Sequence, residues 1–200
     1  MLKHDLYDVI IVGAGAAGLT AALRLAGKSL NVLVVDGALY PGAENWSGCV
    51  YFGQHLAEEE ILGENWQNEV AIERKLHSRG VFMTNAVNTA GMVFKDAGTF
   101  KDCSTVLRPV FDNDLYEIAR SRGIRFQCDC TVLGLIRDEE NKVIGVSTNQ
   151  GPYYSKVTYL AEGDASHIAQ KEGFYSDHLR DKGHFLQGVK QVIQLAPEVI

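Results

Sequence analysis

The chain begins with two short apolar runs separated by an amphipathic stretch. Residues 9–12 are all apolar, which predicts a strand buried on both faces of a sheet. The next stretch has apolar residues at helical spacing, and Gly27 supplies a helix end. Those apolar positions are Leu19, Ala22, Leu23 and Ala26. Residues 31–36 contain the second apolar run, which predicts another buried strand and ends at an aspartate.

The rest of the chain predicts further helices and strands, with turns rich in Gly, Asn and Asp between them. In chain order we predict an ordered loop over 37–53, a charged helix over 56–76, short strands over 81–84 and 91–94, a helix over 111–122, strands over 124–128, 132–136, 143–147 and 153–160, a helix over 165–172, and a strand over 185–195. This order favours an α/β fold, a Rossmann-like doubly wound parallel sheet with an inserted, mainly β layer.

A glycine motif lies between the first strand and the first helix. Gly13, Gly15 and Gly18 have the spacing G-x-G-x-x-G, and Asp36 follows Gly13 by 23 positions. In such a motif the first glycine makes the tight turn, the second lets backbone approach a pyrophosphate, and the third lets the helix pack on the strand. The acid about 20 positions on binds the ribose. The pattern predicts an adenine-dinucleotide site, and the alternative is a glycine-rich turn in an ordinary α/β domain.

Composition and charge narrow the classes of partner. The chain has 200 residues, 46% of them hydrophobic, which suits one large domain or two small ones. Its net charge is −6 and it has no basic block, which argues against nucleic acid as a partner. No apolar run approaches the roughly 18 residues of a membrane span. The first strand begins too early for a signal peptide, so we expect a cytoplasmic protein.

The cysteines and histidines show no metal or nucleophile pattern. The four cysteines are Cys49, Cys103, Cys128 and Cys130. Cys128 and Cys130 would share one face of a strand, and we interpret them as reduced packing residues rather than a redox pair. The six histidines are His4, His55, His77, His167, His178 and His184. Because none has ligand spacing, the sequence predicts no metal site and identifies no catalytic residue.

Several segments in order carry a family resemblance. The chain resembles the FAD-dependent oxidoreductases that include electron-transfer-flavoprotein:quinone oxidoreductases, FixC-like flavoproteins and geranylgeranyl reductases. The segments are VGAGAAG at 12–18, YPGAENWSG at 40–48, VLRPVFD at 106–112 with Leu115, YLAEG at 159–163, and GVKQV at 188–192. The first is shared by many flavoproteins, whereas the second and last are more specific to this family.

The resemblance implies FAD as the cofactor and a set of residues that bind it. These are Gly13, Gly15, Ala16, Ala17, Gly18, Asp36, Gly37, Asn45, Ser47, Gly48, Arg108, Val132, Ala161 and Gly163. The glycines and Asp36 would hold the ADP half, with Asp standing where the family usually has Glu. Val132 would offer backbone groups to the adenine, while Ala161 and Gly163 would bring a strand end close to the cofactor.

Two further implied roles have plain alternatives. The loop 41–48 would run beside the ribityl chain and the isoalloxazine, or be an ordinary surface turn. Within it, Trp46 would stack on the ring or simply pack as an aromatic residue. Arg108 would reach the phosphate or ribityl region, or be a solvated arginine at a helix start.

The resemblance also implies a domain organisation. Residues 1–78 and 105–175 would form the FAD-binding domain, while 79–104 and 176–200 would belong to a substrate or cap domain that 200 residues leave incomplete. We therefore expect an N-terminal portion of a longer polypeptide, which alone would hold FAD weakly. Residues 130–200 contain no second glycine motif, and no C-x-x-C pair is present, so we expect no built-in NAD domain.

The implied function is electron transfer through FAD. The donor would be a protein carrier such as an electron-transfer flavoprotein or a ferredoxin-like protein, and the acceptor a quinone or similar lipid-like molecule, with possible peripheral membrane contact. One alternative is a geranylgeranyl-type reductase of isoprenoid double bonds. Another is a non-catalytic flavin-binding module. A flavin-dependent RNA-modifying protein is disfavoured by the acidic charge.

Overall fold

The structure, a computed structural model, describes residues 6–45, 47–95, 100–174 and 196. Its strands are β1 (Leu6–Val12), β2 (Val32–Val35), β3 (Gly48–Phe52), β4 (Arg74–Lys75), β5 (Ser78–Thr84), β6 (Thr89–Lys95), β7 (Cys103–Leu107), β8 (Arg125–Gln127), β9 (Val132–Arg137), β10 (Val143–Thr148) and β11 (Gly151–Leu160). Its α-helices are α1 (Ala16–Leu25), α2 (Arg108–Ser121) and α3 (His167–Lys171).

The central sheet has six strands in the order β8-β2-β1-β11-β10-β9. The first four run parallel, and β10 and β9 extend the sheet as antiparallel strands. β1 lies inside this sheet, where Ile10 and Ile11 are fully buried because layers cover both faces. The predicted α/β fold with a Rossmann-like parallel sheet is confirmed.

Helix α1 packs directly on β1, as the glycine motif predicts. A side chain on Gly18 would bring its Cβ to 1.9 Å from the Gly13 carbonyl oxygen and 3.3 Å from Ile11 Cγ2. Leu19 and Leu23 of the same helix are fully buried in the core. The predicted end at Gly27 is confirmed, since this residue has a φ of +74° just after the last turn.

The prediction of a loop over 37–53 is wrong in its last part. β3 occupies Gly48–Phe52 and pairs antiparallel with β7, which also pairs with the short β4. β3 lacks the alternation of buried and exposed residues that is typical of a strand, since the neighbouring residues Cys49 and Val50 are both exposed. This second sheet leads directly into α2, which begins at Arg108, three residues before the predicted start.

The prediction of a helix over 56–76 is wrong. The segment is a series of turns with one short 3-10 helix at Trp66–Asn68, followed by β4. Its apolar residues are buried singly by separate turns rather than along one helix face; they are Leu56, Ile61, Trp66 and Val70. Trp66 fits because Gly53 has no side chain, whose Cβ would lie 2.2 Å from the indole.

The expectation that Cys128 and Cys130 share one strand face is also wrong. β8 ends at Gln127, and Asp129 has a φ of +52°, so the chain turns between the two cysteines. Cys130 is buried and Cys128 is half-buried, and all four cysteines are free thiols. Cys103 and Cys130 are buried packing residues, whereas Cys49 is exposed.

The predicted pair of short strands is confirmed as the β5–β6 hairpin, which is exposed along its whole length. No helix within the described residues has the length and apolar character needed to cross a membrane. Several predictions fall outside the described residues: Trp46, the strand over 185–195 with its GVKQV segment, and His4, His178 and His184.

Candidate cofactor-binding site

A cleft of about 620 Å³ opens where β1, β2 and β11 end. Parallel strands place their carboxyl ends at one edge of the sheet, where ligands of such folds bind. Nine of the predicted binding residues line it: Gly13, Gly15, Ala16, Ala17, Asp36, Asn45, Arg108, Ala161 and Gly163. Seven residues outside the predicted binding set also line it: Ala14, Ala38, Gly42, Glu44, Asp112, Glu162 and Asp164. Gly42 and Glu44 belong to the loop 41–48, which the resemblance implies to run beside the cofactor.

The three motif glycines have different structural roles. Gly13 has a φ of +103°, and a Cβ there would lie 2.4 Å from the Ala161 carbonyl oxygen. At Gly18 the backbone of Gly13 leaves no room for a side chain. Gly15 differs from both, because its added Cβ would meet nothing closer than Arg108 Nη2 at 3.9 Å. Gly13 and Gly18 therefore serve close packing, whereas Gly15 keeps the cleft open.

The N-terminus of α1 faces this cleft at Ala16 and Ala17. Among the described residues no side chain caps the helix, and its first turn contains no acidic residue. Its first N–H groups and the positive end of its dipole are thus available to an anion. These features fit the pyrophosphate of a dinucleotide.

Asp36 joins two segments of the cleft wall. Its Oδ2 accepts a hydrogen bond from the Ala14 N–H at 2.5 Å, and its Oδ1 accepts one from the Ala38 N–H at 2.8 Å. A carboxylate oxygen can accept more than one hydrogen bond, so both keep capacity for ribose hydroxyls. Asp36 therefore orders the glycine loop as well as presenting an acid to the cleft.

Arg108 and Asp112, which also line the cleft, form a bidentate salt bridge. Arg108 Nε donates to Asp112 Oδ1 and Nη2 donates to Oδ2, both at 2.7 Å. The Asn45 side-chain amide is assigned in the orientation that gives both its oxygen and its nitrogen a partner. Its oxygen then accepts a hydrogen bond from Arg108 Nη1 at 3.2 Å, and its nitrogen donates one to Ser47 Oγ at 2.7 Å. The guanidinium is thus held from two sides beside Gly15.

Burial controls the ionisation of this pair. The Asp112 side chain is 1% exposed, and burial raises its pKa above the ordinary range, against the opposing effect of Arg108. The negative charge of Asp36 raises it further. The hydrogen bonds to Asp112 raise the pKa of Arg108, which stays charged. The cleft therefore contains a fixed cation beside the α1 N-terminus.

The third wall follows the end of β11. Glu162 accepts hydrogen bonds from the Ile168 N–H at 2.7 Å and the Ala169 N–H at 2.9 Å, which ties the turn to α3. Gly163 has a φ of +68°, so the chain reverses there beside the cleft. Asp164, which is not among the predicted binding residues, also lines the cleft.

Five predicted residues do not line the cleft. Gly18 lies beneath it, Gly37 follows Asp36, and Ser47 contacts Asn45. Gly48 begins β3 opposite Leu107. Val132 begins β9 opposite Thr148, after a segment whose Cys130 N–H donates to the Asp36 carbonyl at 2.9 Å. Their roles toward FAD stay predictions.

Two of the missed residues carry signals in the sequence. Asp112 follows Arg108 by four positions, and residues at i and i+4 of a helix are neighbours. Gly42 belongs to a Pro-Gly turn and has a φ of +88°; its added Cβ would lie 2.9 Å from the Pro109 carbonyl oxygen. This contact brings the 40–45 loop onto the start of α2.

A second groove of about 570 Å³ lies along the other side of α1. There the Tyr51 hydroxyl and His55 Nε2 are 2.8 Å apart. Burial raises the pKa of Tyr51 to about 12 and lowers the pKa of His55. Tyr51 also packs against Phe111, with ring centroids 4.7 Å apart. Both side chains line the groove, and Tyr51 also packs against the core through Phe111.

The amino-acid sequence is similar along its whole length to two curated bacterial proteins. It is 33% identical over 202 residues to protein FixC of Salmonella typhi, covering 100% of this chain and 46% of that protein. It is 32% identical over 202 residues to the probable electron transfer flavoprotein-quinone oxidoreductase YdiS of Escherichia coli, with the same coverage of 100% and 46%. The chain spans about half the length of the curated relatives it matches.

A model of the Thi4 family matches residues 1–104, slightly more than half of the chain. The chain belongs to the Thi4 family. Together with the similarity to FixC and YdiS, the Thi4 match confirms the predicted resemblance to FAD-dependent oxidoreductases, and it confirms FAD as the predicted cofactor.

A solved structure shows the same fold. It is a geranylgeranyl bacteriochlorophyll reductase-like protein from Thermoplasma acidophilum, with a TM-score of 0.67 and 24% identity. The match covers 84% of this chain and 42% of that one. At this identity the likeness concerns the fold, not the substrate.

Proposed function

We propose that the chain forms the FAD-binding part of an oxidoreductase that passes electrons from a protein carrier to a quinone or a similar lipid-like acceptor. The observation that carries the proposal is the similarity over 100% of the chain to a probable electron transfer flavoprotein-quinone oxidoreductase. The cleft supports it, because a helix N-terminus, a fixed arginine and a carboxylate all line it.

We assign the ADP half of FAD to the region between Asp36 and the N-terminus of α1. Asp36 would accept hydrogen bonds from the ribose, and the N–H groups of Ala16 and Ala17 would bind the pyrophosphate. The absence of a side chain at Gly15 lets the phosphates approach the helix, since an added Cβ there would stand in the cleft.

The ribityl side of FAD would follow the wall made by Arg108 and Asn45. The guanidinium is already fixed by Asp112 at 2.7 Å, so binding a phosphate or a ribityl oxygen costs little further ordering of the side chain. When bound, the isoalloxazine supplies the electron transfer, and the protein supplies position and electrostatics. No side-chain nucleophile is required for this class of reaction.

The test uses the purified full chain, reduced chemically and then mixed anaerobically with a water-soluble quinone analogue. We expect the flavin absorbance to recover with saturable dependence on the quinone. In a parallel experiment, reduced electron-transfer flavoprotein should reduce the bound flavin faster than NADH or NADPH does. Rapid reduction by a nicotinamide nucleotide alone would contradict the proposed donor.

The alternatives give different results in the same assay. A geranylgeranyl-type reductase would leave the quinone analogue unreduced but would saturate the double bonds of a geranylgeranyl substrate. A yellow protein that neither accepts electrons from a carrier nor passes them to either acceptor would be a non-catalytic flavin-binding module. Either result would overturn the proposal.

A further inference from the structure

Among the residues that the structure describes, acids outnumber cations along the cofactor cleft. The one cation that lines it is Arg108, and the carboxylates are Asp36, Glu44, Asp112, Glu162 and Asp164. FAD adds negative charge of its own, because its pyrophosphate is anionic. Attraction to the phosphates therefore accounts for none of these acids, and each needs a reason of another kind.

Three of the carboxylates are engaged by the protein itself. Asp36 and Glu162 each accept two hydrogen bonds from backbone N–H groups. Asp112 is the partner of Arg108 in two hydrogen bonds of 2.7 Å. This pair is neutral as a unit, so Arg108 offsets the charge of the buried Asp112 before that of any other acid in the cleft.

Glu44 and Asp164 are the two carboxylates that remain. Within the described part of the chain, neither side chain has a hydrogen bond or an ion pair, and both residues are exposed. Glu44 belongs to the 40–45 loop, next to Asn45, which accepts a hydrogen bond from Arg108. Asp164 follows Gly163 after the end of β11, beside the glycine motif. The two free charges therefore lie on different walls of the cleft.

The charge of a flavin ring changes when it is reduced. The oxidised isoalloxazine is neutral, and two electrons with one proton convert it to an anionic reduced ring in neutral or alkaline solution. A carboxylate near the ring therefore raises the free energy of the reduced form more than that of the oxidised form. Charges that the protein places near the ring tune its electronics in this way. The result is a lower reduction potential.

We propose that Glu44 lowers the reduction potential of the bound flavin through its uncompensated negative charge. The 40–45 loop belongs to the wall that we assign to the ribityl side of FAD, so Glu44 is the free carboxylate on the redox half of the cleft. Asp164 has the same charge but lies beside the ADP half, which gains no charge on reduction. Glu44 thus acts by its position and not as one more acid in the cleft.

This tuning deepens the proposed function and rests on the proposed position of FAD. A flavin with a lower potential passes electrons more readily to an acceptor and takes them less readily from a donor. Glu44 would therefore favour transfer from the flavin to the quinone-like acceptor. The potential is measured without a carrier or a quinone, so a failure of quinone reduction leaves this proposal standing, and the two can fail separately.

The experiment is a redox titration of the FAD-loaded full chain against a reference dye of known potential. Glu44→Gln should raise the two-electron potential by about 30 mV, which is a tenfold change in the equilibrium constant. Because reduction and binding are linked, this variant should also bind reduced FAD about tenfold more tightly relative to oxidised FAD. In about 1 M salt the difference should shrink, because Glu44 is exposed and the Debye length falls to about 3 Å.

Two variants are matched controls. Asp164→Asn removes the same charge from the other wall of the cleft and should change the potential much less. Glu44→Asp keeps the charge and should keep the potential of the unaltered chain. An unchanged potential in Glu44→Gln would overturn the proposal, as would equal shifts in Glu44→Gln and Asp164→Asn, or a shift that salt leaves intact.

Thermal unfolding of the apoprotein separates this electrostatic role from a structural one. Since neither Glu44 nor Asp164 has a side-chain partner among the described residues, all the variants should melt within a few degrees of the unaltered chain. A clear loss of stability in Glu44→Gln but not in Glu44→Asp would show that the carboxylate supports the loop, and it would overturn the proposal.

Discussion

Arg108 and Asp112 are joined across one turn of α2 by two parallel hydrogen bonds of 2.7 Å. Arginine at the first position of a helix is unfavourable next to the positive end of the helix dipole. Asp112 supplies an anion inside the protein that offsets this cost, and it leaves part of the guanidinium facing the cleft. The ion pair therefore explains how a cation can stand at a helix start and still be available to a ligand.

Asp112→Asn should weaken FAD binding by about tenfold. The amide keeps one acceptor oxygen but loses the charge, and a charge-assisted hydrogen bond contributes about 1.5–3 kcal/mol. Arg108 would then sample other rotamers and lose its position beside Gly15. The measurement is the FAD dissociation constant of the full chain, from quenching of flavin fluorescence.

Glu117→Gln is the matched control for this prediction. It removes an acid from the same helix at an exposed position, where Glu117 lies 3.6 Å from Arg120. We expect its dissociation constant to stay unchanged. If Asp112→Asn bound FAD as tightly as this control, the positioning role of Asp112 would be disproved.

The glycine motif predicts two different kinds of defect. Gly15→Ala should leave the melting temperature of the apoprotein within a few degrees of the unaltered chain, because its Cβ has 3.9 Å of clearance from the nearest protein atom. It should nevertheless weaken FAD binding at least tenfold, since the methyl group stands in the cleft. Thermal unfolding of the apoprotein and FAD titration measure the two effects separately.

Gly13→Ala should instead destabilise the apoprotein. Its φ of +103° is strained for alanine, and the added Cβ would overlap the Ala161 carbonyl oxygen at 2.4 Å. The variant should unfold well below the unaltered chain before any FAD is added. Equal melting temperatures for Gly13→Ala and Gly15→Ala would refute the division of roles between the two glycines.

Asp36→Asn should lower both stability and FAD affinity. An amide has only one acceptor oxygen, so either the Ala14 N–H or the Ala38 N–H loses its partner. Ala14 is buried, and an unsatisfied buried donor costs about 1–3 kcal/mol. Urea unfolding of the apoprotein measures this loss, with the exposed Glu139→Gln as control. An unchanged free energy of unfolding would show that Asp36 does not order the loop.

The cofactor end of the fold could be predicted because its signals are local. The positive φ of Gly13 and the close packing of Gly18 each follow from a few neighbouring residues of the motif. The position of Asp36 follows from the combined length of the helix and the strand that separate it from the glycines. In the same way, the i, i+4 spacing of Arg108 and Asp112 could have indicated their ion pair before the structure.

The segment after the glycine-containing unit could not be predicted in this way. Leu62, Trp66 and Val70 recur every four residues, as on one face of a helix, but the segment forms turns that tertiary contacts select. Gly53 gives no sign in the sequence that an indole will cover it. Strand β3 has two exposed residues in succession, so it lacks the alternation that would predict a strand. It forms because it pairs with β7, which is distant in sequence.

Tyr51 should make the protein lose stability in alkali. Burial raises its pKa from 10.0 to about 12, so the folded state keeps the phenol proton that the unfolded state releases. The stability it contributes is present below about pH 10 and is lost as the pH rises towards 12, by about 3 kcal/mol at most. Urea unfolding across this range should show a shallower loss for Tyr51→Phe than for the unaltered chain. Tyr40→Phe, at an exposed tyrosine, should keep the full loss, and equal slopes for both variants would show that another group causes it.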